Sequence, residues 1–131
     1  MTFVLDTNVC IAFLSGSDAA VRRQLLALPR ESVALCSVVK AELLYGARNS
    51  GRVEENLARL ERFFAPLHSL PFGDEAAERY AVLRAYLRRE GRPIGGNDMM
   101  IAATVLAADA TLVTRDRRDF AAVAGLRVVA W

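Results

Sequence analysis

The sequence predicts an α/β protein, a three-layer α/β/α sandwich with a mostly parallel central sheet. Short apolar runs alternate along the chain with longer segments that have the apolar spacing of helices. This alternation implies right-handed crossovers between parallel strands, with helices covering the sheet. Because the chain has 131 residues and no visible linker, repeat or low-complexity segment, we expect one domain spanning residues 1–131.

The predicted elements follow from these runs. Five short apolar segments are expected to form strands: Thr2–Leu5, Val33–Cys36, Leu67–Leu70, Thr111–Thr114 and Arg127–Val129. Six segments with helical periodicity lie between them: Asn8–Leu14, Asp18–Leu28, Val38–Arg48, Val53–Phe64, Glu75–Glu90 and Met99–Ala108. The fifth helix has the clearest ends, since Asp74 is a good N-cap and Gly91 a good terminator.

Composition excludes several classes of protein. The apolar fraction of 53% and the charged fraction of 24% are those of an ordinary globular domain rather than a disordered or fibrous one. The longest uncharged apolar stretch, Met99–Ala108, is about half the roughly 20 residues that a membrane-spanning helix needs. The first residues also lack the pattern of a secretion signal. We therefore expect a cytoplasmic protein with no membrane span.

The two cysteines, Cys10 and Cys36, stand in apolar surroundings and are expected to be buried, reduced thiols. With the lone His68 they do not supply a plausible zinc site.

Acidic residues follow the predicted strands at the edge where ligands of parallel sheets usually bind. Asp6 directly follows the first strand, and Asp116 comes shortly after the strand Thr111–Thr114. Asp6 has an alternative role as a helix N-cap, although Thr7 or Asn8 could cap that helix instead. Asp116 and Asp119 could equally belong to a solvated surface turn, where Asp119 assists or merely caps a short helix.

Two further acids stand in helical segments. Glu42 shares a predicted apolar helix face with Val38, Val39, Tyr45 and Gly46, where an unpaired charge is costly. Its alternative place is the rim of the core. Asp98 opens the most apolar helix and could simply complement the helix dipole, but Asn97 already offers an N-cap. The preceding Gly95 and Gly96 would allow the backbone to approach another surface closely.

Carboxylates that are brought together repel one another, and a divalent cation is the usual remedy. A site made of oxygen ligands alone favours Mg²⁺, with Mn²⁺ as a plausible substitute. Such a site is suited to phosphodiester hydrolysis.

Four motifs in this order resemble the PIN-domain ribonucleases and, within them, the VapC-type toxins of bacterial toxin–antitoxin pairs. They are Leu5–Asn8, Ser37–Gly46, Ile94–Ala103 and Leu112–Asp116, and the likeness extends to the carboxyl-terminal segment. The one departure is Gly96, where alanine is expected, and it removes no ligand. All four acidic positions are retained.

The resemblance implies a Mg²⁺-dependent endoribonuclease that cleaves single-stranded RNA with metal-bound water. Asp6 and Asp98 would bind the metal, while Glu42 and Asp116 would complete the ligand shell or orient water. Thr7, Asn8 and Thr114 would support them by hydrogen bonds, and Asp119 is a further supporting candidate. The resemblance also implies a homodimer and a cognate VapB-type antitoxin that blocks the pocket.

Arginine supplies 16 of the 17 basic residues, at a net charge of +2. Candidate contacts to the RNA backbone are Arg92, Arg115 and Arg117, together with Arg48, Arg52, Arg88, Arg89 and Arg118, although a solvated surface explains them equally well. The segment Arg48–Phe64 has more apolar residues than one narrow stripe, which fits a groove or dimer face as well as the domain's own core.

Two other functions are weighed against the nuclease. A phosphohydrolase with Asp6 as nucleophile usually has a second aspartate two residues on, but Asn8 stands there. A non-catalytic regulatory module could use the acidic pocket only to hold an ion.

Overall fold

A five-stranded parallel sheet forms the centre of the computed structural model, which describes residues 1–131. The strands are β1 (Phe3–Leu5), β2 (Val33–Cys36), β3 (His68–Leu70), β4 (Thr111–Val113) and β5 (Arg127–Val129). Their order across the sheet is β3-β2-β1-β4-β5, and all four neighbouring pairs are parallel. The predicted α/β fold is confirmed, with each strand within one residue of its predicted start and end.

Seven α-helices connect the strands. They are α1 (Thr7–Ser15), α2 (Ala19–Ala27), α3 (Ser37–Arg48), α4 (Val53–Phe64), α5 (Asp74–Arg89), α6 (Gly96–Ala107) and α7 (Arg117–Phe120), with a 3-10 turn at Arg30–Ser32. The short helix α7 is not among the six predicted helices. Four residues are too few to show helical periodicity in the sequence.

The central strands are the most buried part of the chain. Every residue of β2 and β4 is buried, whereas the edge strands β3 and β5 are largely exposed. A cluster of 27 buried residues surrounds the sheet. Continuous apolar runs are expected for strands covered on both faces, which explains why β2 and β4 show no alternation of polar and apolar residues.

The strand order shows that the crossovers run in two opposite directions across the sheet, starting from β1. The chain moves from β1 through β2 to β3 in one direction, then returns past β1 to β4 and continues to β5. Right-handed crossovers therefore put α1–α4 on one face and α5–α7 on the other. The reversal falls between β1 and β4, and the crevice beyond the carboxyl ends of these two strands is where such sheets bind ligands.

The N-caps of α5 and α6 differ from those predicted. Asp74 is the first residue of α5 rather than its N-cap, a position that Gly73 holds. The predicted N-cap at Asn97 is wrong, because α6 already begins at Gly96 and Gly95 precedes it. The amide of Met99 donates to the Gly95 carbonyl over 3.0 Å, so the first helical turn encloses both Asn97 and Asp98. At the other end of α5, Gly91 terminates the helix as predicted, with a φ of 64°.

Within the chain, Gly95 and Gly96 make no close approach to another surface. A Cβ on Gly96 would meet no atom within 4 Å, and one on Gly95 would lie 3.9 Å from Asp98 Oδ2. The glycines therefore leave open space in front of Asp98 instead of a tight contact.

We predict that Gly96→Ala stabilises the protein by about 0.4–1 kcal/mol, because alanine restricts the unfolded chain and fits the helical backbone at this position. The midpoint of denaturant unfolding measures the effect. Gly91→Ala is the matched control and should destabilise the protein, since its positive φ strains any side chain. A loss of stability in Gly96→Ala would contradict the open space seen there.

Cys10 and Cys36 are free, buried thiols, as predicted. Burial raises the pKa of both thiols, so they stay protonated and unreactive. None of the helices has the length and apolar character required to cross a membrane.

Candidate active site

Asp6 and Thr114 meet at the point where the crossover direction reverses. Leu5 pairs with Val113 in the parallel register of β1 and β4, so the next residue of each strand stands beside the other. The Thr114 hydroxyl donates to Asp6 Oδ2 over 2.8 Å, and the Thr7 amide donates to Asp6 Oδ1 over 2.9 Å. Asp6 is only 5% exposed. Its side chain also forms the cap of α1, so Thr7 and Asn8 do not take over that role as the sequence suggested.

Glu42 joins this centre through Thr7. The Thr7 hydroxyl donates to Glu42 Oε1 over 3.0 Å, which links the start of α1 to the middle of α3. The face of α3 around Glu42 is less buried than predicted. Val38 and Val39 are buried, but Tyr45 is 70% exposed. Glu42 is thus half-buried at the edge of the core, with a hydroxyl partner and no cation.

Asp98 is held in the first turn of α6, where it is half-buried and has no ion pair. Burial raises the pKa of its carboxyl to about 6, and the negative charges of Asp6, Asp119, Glu42 and Asp116 add to the shift in that order. This carboxyl therefore experiences the charge of all four other acids. The predicted acids lie in one electrostatic neighbourhood although they come from four different segments.

Asp116 and Asp119 lie after β4. The backbone amide of Asp116 donates to the Thr114 hydroxyl over 3.0 Å, so one threonine contacts Asp6 and fixes the backbone of Asp116. A side-chain hydrogen bond with Asp116, and the charges of Asp116 and Asp6, raise the pKa of the exposed Asp119 carboxyl. Asp119 therefore belongs to the same cluster rather than to a separate surface turn. We call Asp6, Glu42, Asp98, Asp116 and Asp119 the acidic cluster.

The donor set of the acidic cluster fits Mg²⁺. It offers carboxylate and hydroxyl oxygens with no histidine or cysteine, and a cation would relieve the repulsion that acts on Asp98. No three acids converge closely enough to form a closed ligand cage by themselves. Mg²⁺ usually keeps several waters and takes one or two protein carboxylates, so it does not require such a cage.

The other predicted site residues are placed less centrally. Asn8 makes no side-chain hydrogen bond but lines a cavity of about 380 Å³ together with Arg115 and Asp116. The Arg115 guanidinium lies 3.2 Å from Asp18 Oδ2 and so pairs with the N-cap of α2. Arg92 and Arg117 are exposed and form no ion pair. Of the three arginines, only Arg115 therefore has an acid partner.

The Thr114 hydroxyl provides a direct test of how the acids are positioned. We predict that Thr114→Val, an isosteric change at a fully buried residue, costs about 1–3 kcal/mol because Asp6 and the Asp116 amide both lose a partner. Any metal-dependent activity should fall by about 10–100-fold, as is typical when the support of a ligand is removed.

Thr111→Val is the matched control for this prediction. It lies at the other end of β4, is also buried, and accepts only a 3.5 Å bond from Arg127. Equal reductions of activity in the two variants would show that Thr114 has no special role in positioning the acids.

The sequence and the fold together define the class of protein. A family model described as "PIN domain" matches residues 3–126 of the chain. The chain therefore belongs to the PIN-domain family.

Individual relatives show which group of PIN-domain proteins the chain belongs to. The chain is 37% identical over 131 residues to the tRNA(fMet)-specific endonuclease VapC of Shigella flexneri, and the match covers all of this chain and 98% of that protein. The structure of VapBC2 from Rickettsia felis, solved bound to a DNA fragment from its promoter, contains a chain that matches with a TM-score of 0.93 and 32% identity. This match covers 100% of the present chain and 99% of that one. A chain of VapBC-5 from Mycobacterium tuberculosis, a member of the VapBC family of toxin-antitoxin systems, matches with a TM-score of 0.72 and 34% identity. This match covers 98% of the present chain and 96% of that one. This chain belongs to the VapC family of PIN-domain proteins.

Proposed function

We propose that this VapC-family chain is a Mg²⁺-dependent endoribonuclease that hydrolyses the phosphodiester bonds of single-stranded RNA and acts as the toxin of a toxin–antitoxin pair. The observation that carries the proposal is the acidic cluster, in which burial and the charges of the four other carboxylates raise the pKa of Asp98 to about 6. So much negative charge at the ligand-binding edge of the sheet is costly to the fold and is expected where a cation is to be bound.

The residues of the cluster have distinct tasks in this proposal. Asp6 and Asp98 would hold the metal, Asp6 being fixed by its two hydrogen bonds and Asp98 standing on the more open side. When bound, Mg²⁺ supplies activation of water and neutralisation of phosphate charge. Glu42 and Asp116 would complete the ligand shell or accept a proton from the attacking water. The Thr7 hydroxyl donates to the Glu42 carboxylate, and the Thr114 hydroxyl accepts from the backbone amide of Asp116.

The proposed toxin role rests on the relatives and on one surface. The VapC-family membership makes a VapB-type antitoxin the expected partner, together with a homodimer. An apolar groove of about 350 Å³ lies between α1, α2 and α4, lined by Phe13, Leu25, Leu26 and Phe63 among others. The Leu26 side chain is 65% exposed, which is unusual for leucine and favours an apolar partner segment at this groove.

Purified chain without antitoxin should be incubated with Mg²⁺ and three substrates: a labelled single-stranded RNA, an uncharged tRNA and a generic phosphate monoester. We expect internal cleavage of RNA and no hydrolysis of the monoester. Hydrolysis of the monoester alone would favour the phosphohydrolase with Asp6 as nucleophile. Binding of Mg²⁺ with no hydrolysis of any substrate would favour the non-catalytic regulatory module. Co-expression with the antitoxin encoded beside the gene should suppress RNA cleavage.

A further inference from the structure

A further cavity lies beside the acidic cluster. It is bounded by the carboxyl-terminal half of α5, the loop that follows Gly91 and the first turn of α6. Its volume is about 580 Å³, within the range of ligand-binding clefts. Leu87, Ile94 and Met99 form an apolar floor, and Arg84 and Arg88 stand along one side. We call it the α5–α6 groove.

Arg84 is held in a fixed orientation within this groove. Its Nη1 donates to the Tyr80 hydroxyl over 2.8 Å, and its guanidinium carbon lies 5.9 Å from the centre of the Tyr80 ring. Tyr80 in turn packs edge to face against Phe72, with ring centres 5.9 Å apart. Because a guanidinium has five N–H donors, this single bond leaves most of them free for a ligand.

The positive charge of the groove is not balanced by acids. None of the nine lining residues is Asp or Glu, and neither Arg84 nor Arg88 forms an ion pair. The opposite side of α5 is different, because Arg79 and Arg89 line a cavity there together with Glu75, Glu78 and Asp109. The cations of α5 therefore differ in their surroundings, since Arg84 and Arg88 line a groove without acids whereas Arg79 and Arg89 share a cavity with acidic residues.

Two hydrogen bonds fix the backbone just past the end of α5. Arg92 follows Gly91, and its amide donates to the Leu87 carbonyl over 3.0 Å while the Gly91 amide donates to the Arg88 carbonyl over 3.2 Å. This pair of bonds is the Schellman motif, which fixes the backbone just past the helix end. Arg92 is a neighbour in sequence of Gly91 and Pro93, which line the groove, but it is not itself a lining residue.

The groove and the acidic cluster share the first turn of α6. Gly96 and Met99 line the groove, whereas Asp98, one residue before Met99 and about 100° around the helix, belongs to the acidic cluster. If one phosphate of an RNA strand lay at Asp98, the nucleotides next to that phosphate would lie in the groove.

We propose that the α5–α6 groove binds the segment of single-stranded RNA adjacent to the cleaved phosphodiester, a role that rests on the proposed ribonuclease function. A base packs against the partly exposed Ile94, above the buried Leu87 and Met99, and Arg84 and Arg88 bind the flanking phosphates. Unpaired arginines beside an apolar surface are the combination that recognises single strands without requiring a base-pairing edge.

The test compares arginines on the two sides of α5. Binding of a fluorescent single-stranded RNA in Mg²⁺ is measured for the cleavage-deficient Asp98→Asn protein, alone and combined with Arg84→Ala/Arg88→Ala or with Arg89→Ala. We expect the groove double variant to weaken binding by about tenfold or more. The slope of log affinity against log salt should become less steep by about 0.7 for each phosphate that the variant no longer binds. Arg89→Ala should change neither value appreciably. In the cleaving protein, Arg84→Ala/Arg88→Ala should mainly raise KM.

Equal weakening of binding for each arginine removed, in the groove variant and in Arg89→Ala, would overturn the proposal, since general attraction to basic charge would then explain the binding. An unchanged salt slope in the groove variant would also overturn it. A failure of the groove proposal can be distinguished from a failure of the proposed ribonuclease function, because RNA binding is measured in the Asp98→Asn protein and does not need cleavage. Selective loss of binding in the groove variants, with no cleavage by the wild-type chain, would support the groove and contradict the ribonuclease.

Discussion

Asp98→Asn is expected to lower RNA cleavage by about a thousandfold or more while leaving the chain folded. The substitution keeps the size of the side chain but removes one of the two proposed metal-binding carboxylates, and a catalytic metal is worth several kcal/mol of transition-state stabilisation. Cleavage rates of a labelled single-stranded RNA at saturating Mg²⁺, with circular dichroism as the check on folding, measure the effect. Asp98 has no hydrogen-bond partner within the chain, so asparagine breaks no existing bond.

Asp74→Asn is the matched control for this variant. Asp74 is an exposed acid at the start of α5, outside the acidic cluster, and the change removes the same charge. We expect wild-type cleavage from Asp74→Asn. Cleavage by Asp98→Asn within about tenfold of the wild-type rate would remove Asp98 from the proposed machinery.

The pH dependence should be the second large effect, because the pKa of Asp98 is raised to about 6. Protonated Asp98 cannot bind a cation, so at low Mg²⁺ concentration both metal affinity and cleavage should fall by up to about tenfold per pH unit below 6. Higher Mg²⁺ should move this fall to lower pH, since the metal competes with the proton. A cleavage profile that is flat between pH 5 and pH 7 at low Mg²⁺ would contradict the assignment.

The same shift predicts how the stability of the metal-free protein depends on pH. The folded-state pKa of Asp98 lies above the ordinary value of 3.8, so the folded state holds this proton more tightly than the unfolded state does. Stability from this group is complete below about pH 4 and is lost as the pH rises through about 6. Without metal, Asp98→Asn should therefore be more stable than wild type at pH 7.5, with a smaller difference at pH 5. Added Mg²⁺ should stabilise wild type selectively. Denaturant unfolding at the two pH values measures both effects.

Much of the fold could be predicted because its central strands are covered on both faces. Continuous apolar runs such as Val33–Cys36 identify buried parallel strands, and the helices between them have clear periodicity. The helix starts were less predictable. Asn97 is a good N-cap by residue type, but the cap of α6 lies two residues earlier and no side chain makes a capping bond there.

The candidate site was predictable to the extent that it depends on strand ends. Parallel strands finish at one edge, so acids that follow β1 and β4 were expected to lie together, and the structure brings Asp6 and Asp116 to the two sides of Thr114. The bond from Thr7 to Glu42 joins residues 35 positions apart and depends on how α1 packs on α3. No local pattern in the sequence specifies such a contact.

The groove beside the acidic cluster could not be predicted for a related reason. Tyr80, Arg84 and Arg88 are spaced four residues apart, which places them on one face of α5. That spacing is visible in the sequence, but Tyr80 also continues the apolar stripe of Leu83 and Leu87, which favours a place in the core. The cavity depends on the loop after Gly91, whose path the sequence does not specify.

Binding of a divalent cation by the acidic cluster, on which RNA cleavage is proposed to depend, is tested most directly by one titration. Mn²⁺ is added stepwise to chelator-treated protein at pH 7.5, and bound metal and cleavage of a labelled single-stranded RNA are measured in the same samples. We expect no cleavage without metal, cleavage that rises in proportion to bound Mn²⁺, and loss of both in Asp98→Asn. Full cleavage in the presence of chelator, or unchanged Mn²⁺ binding in Asp98→Asn, would contradict the proposed metal site.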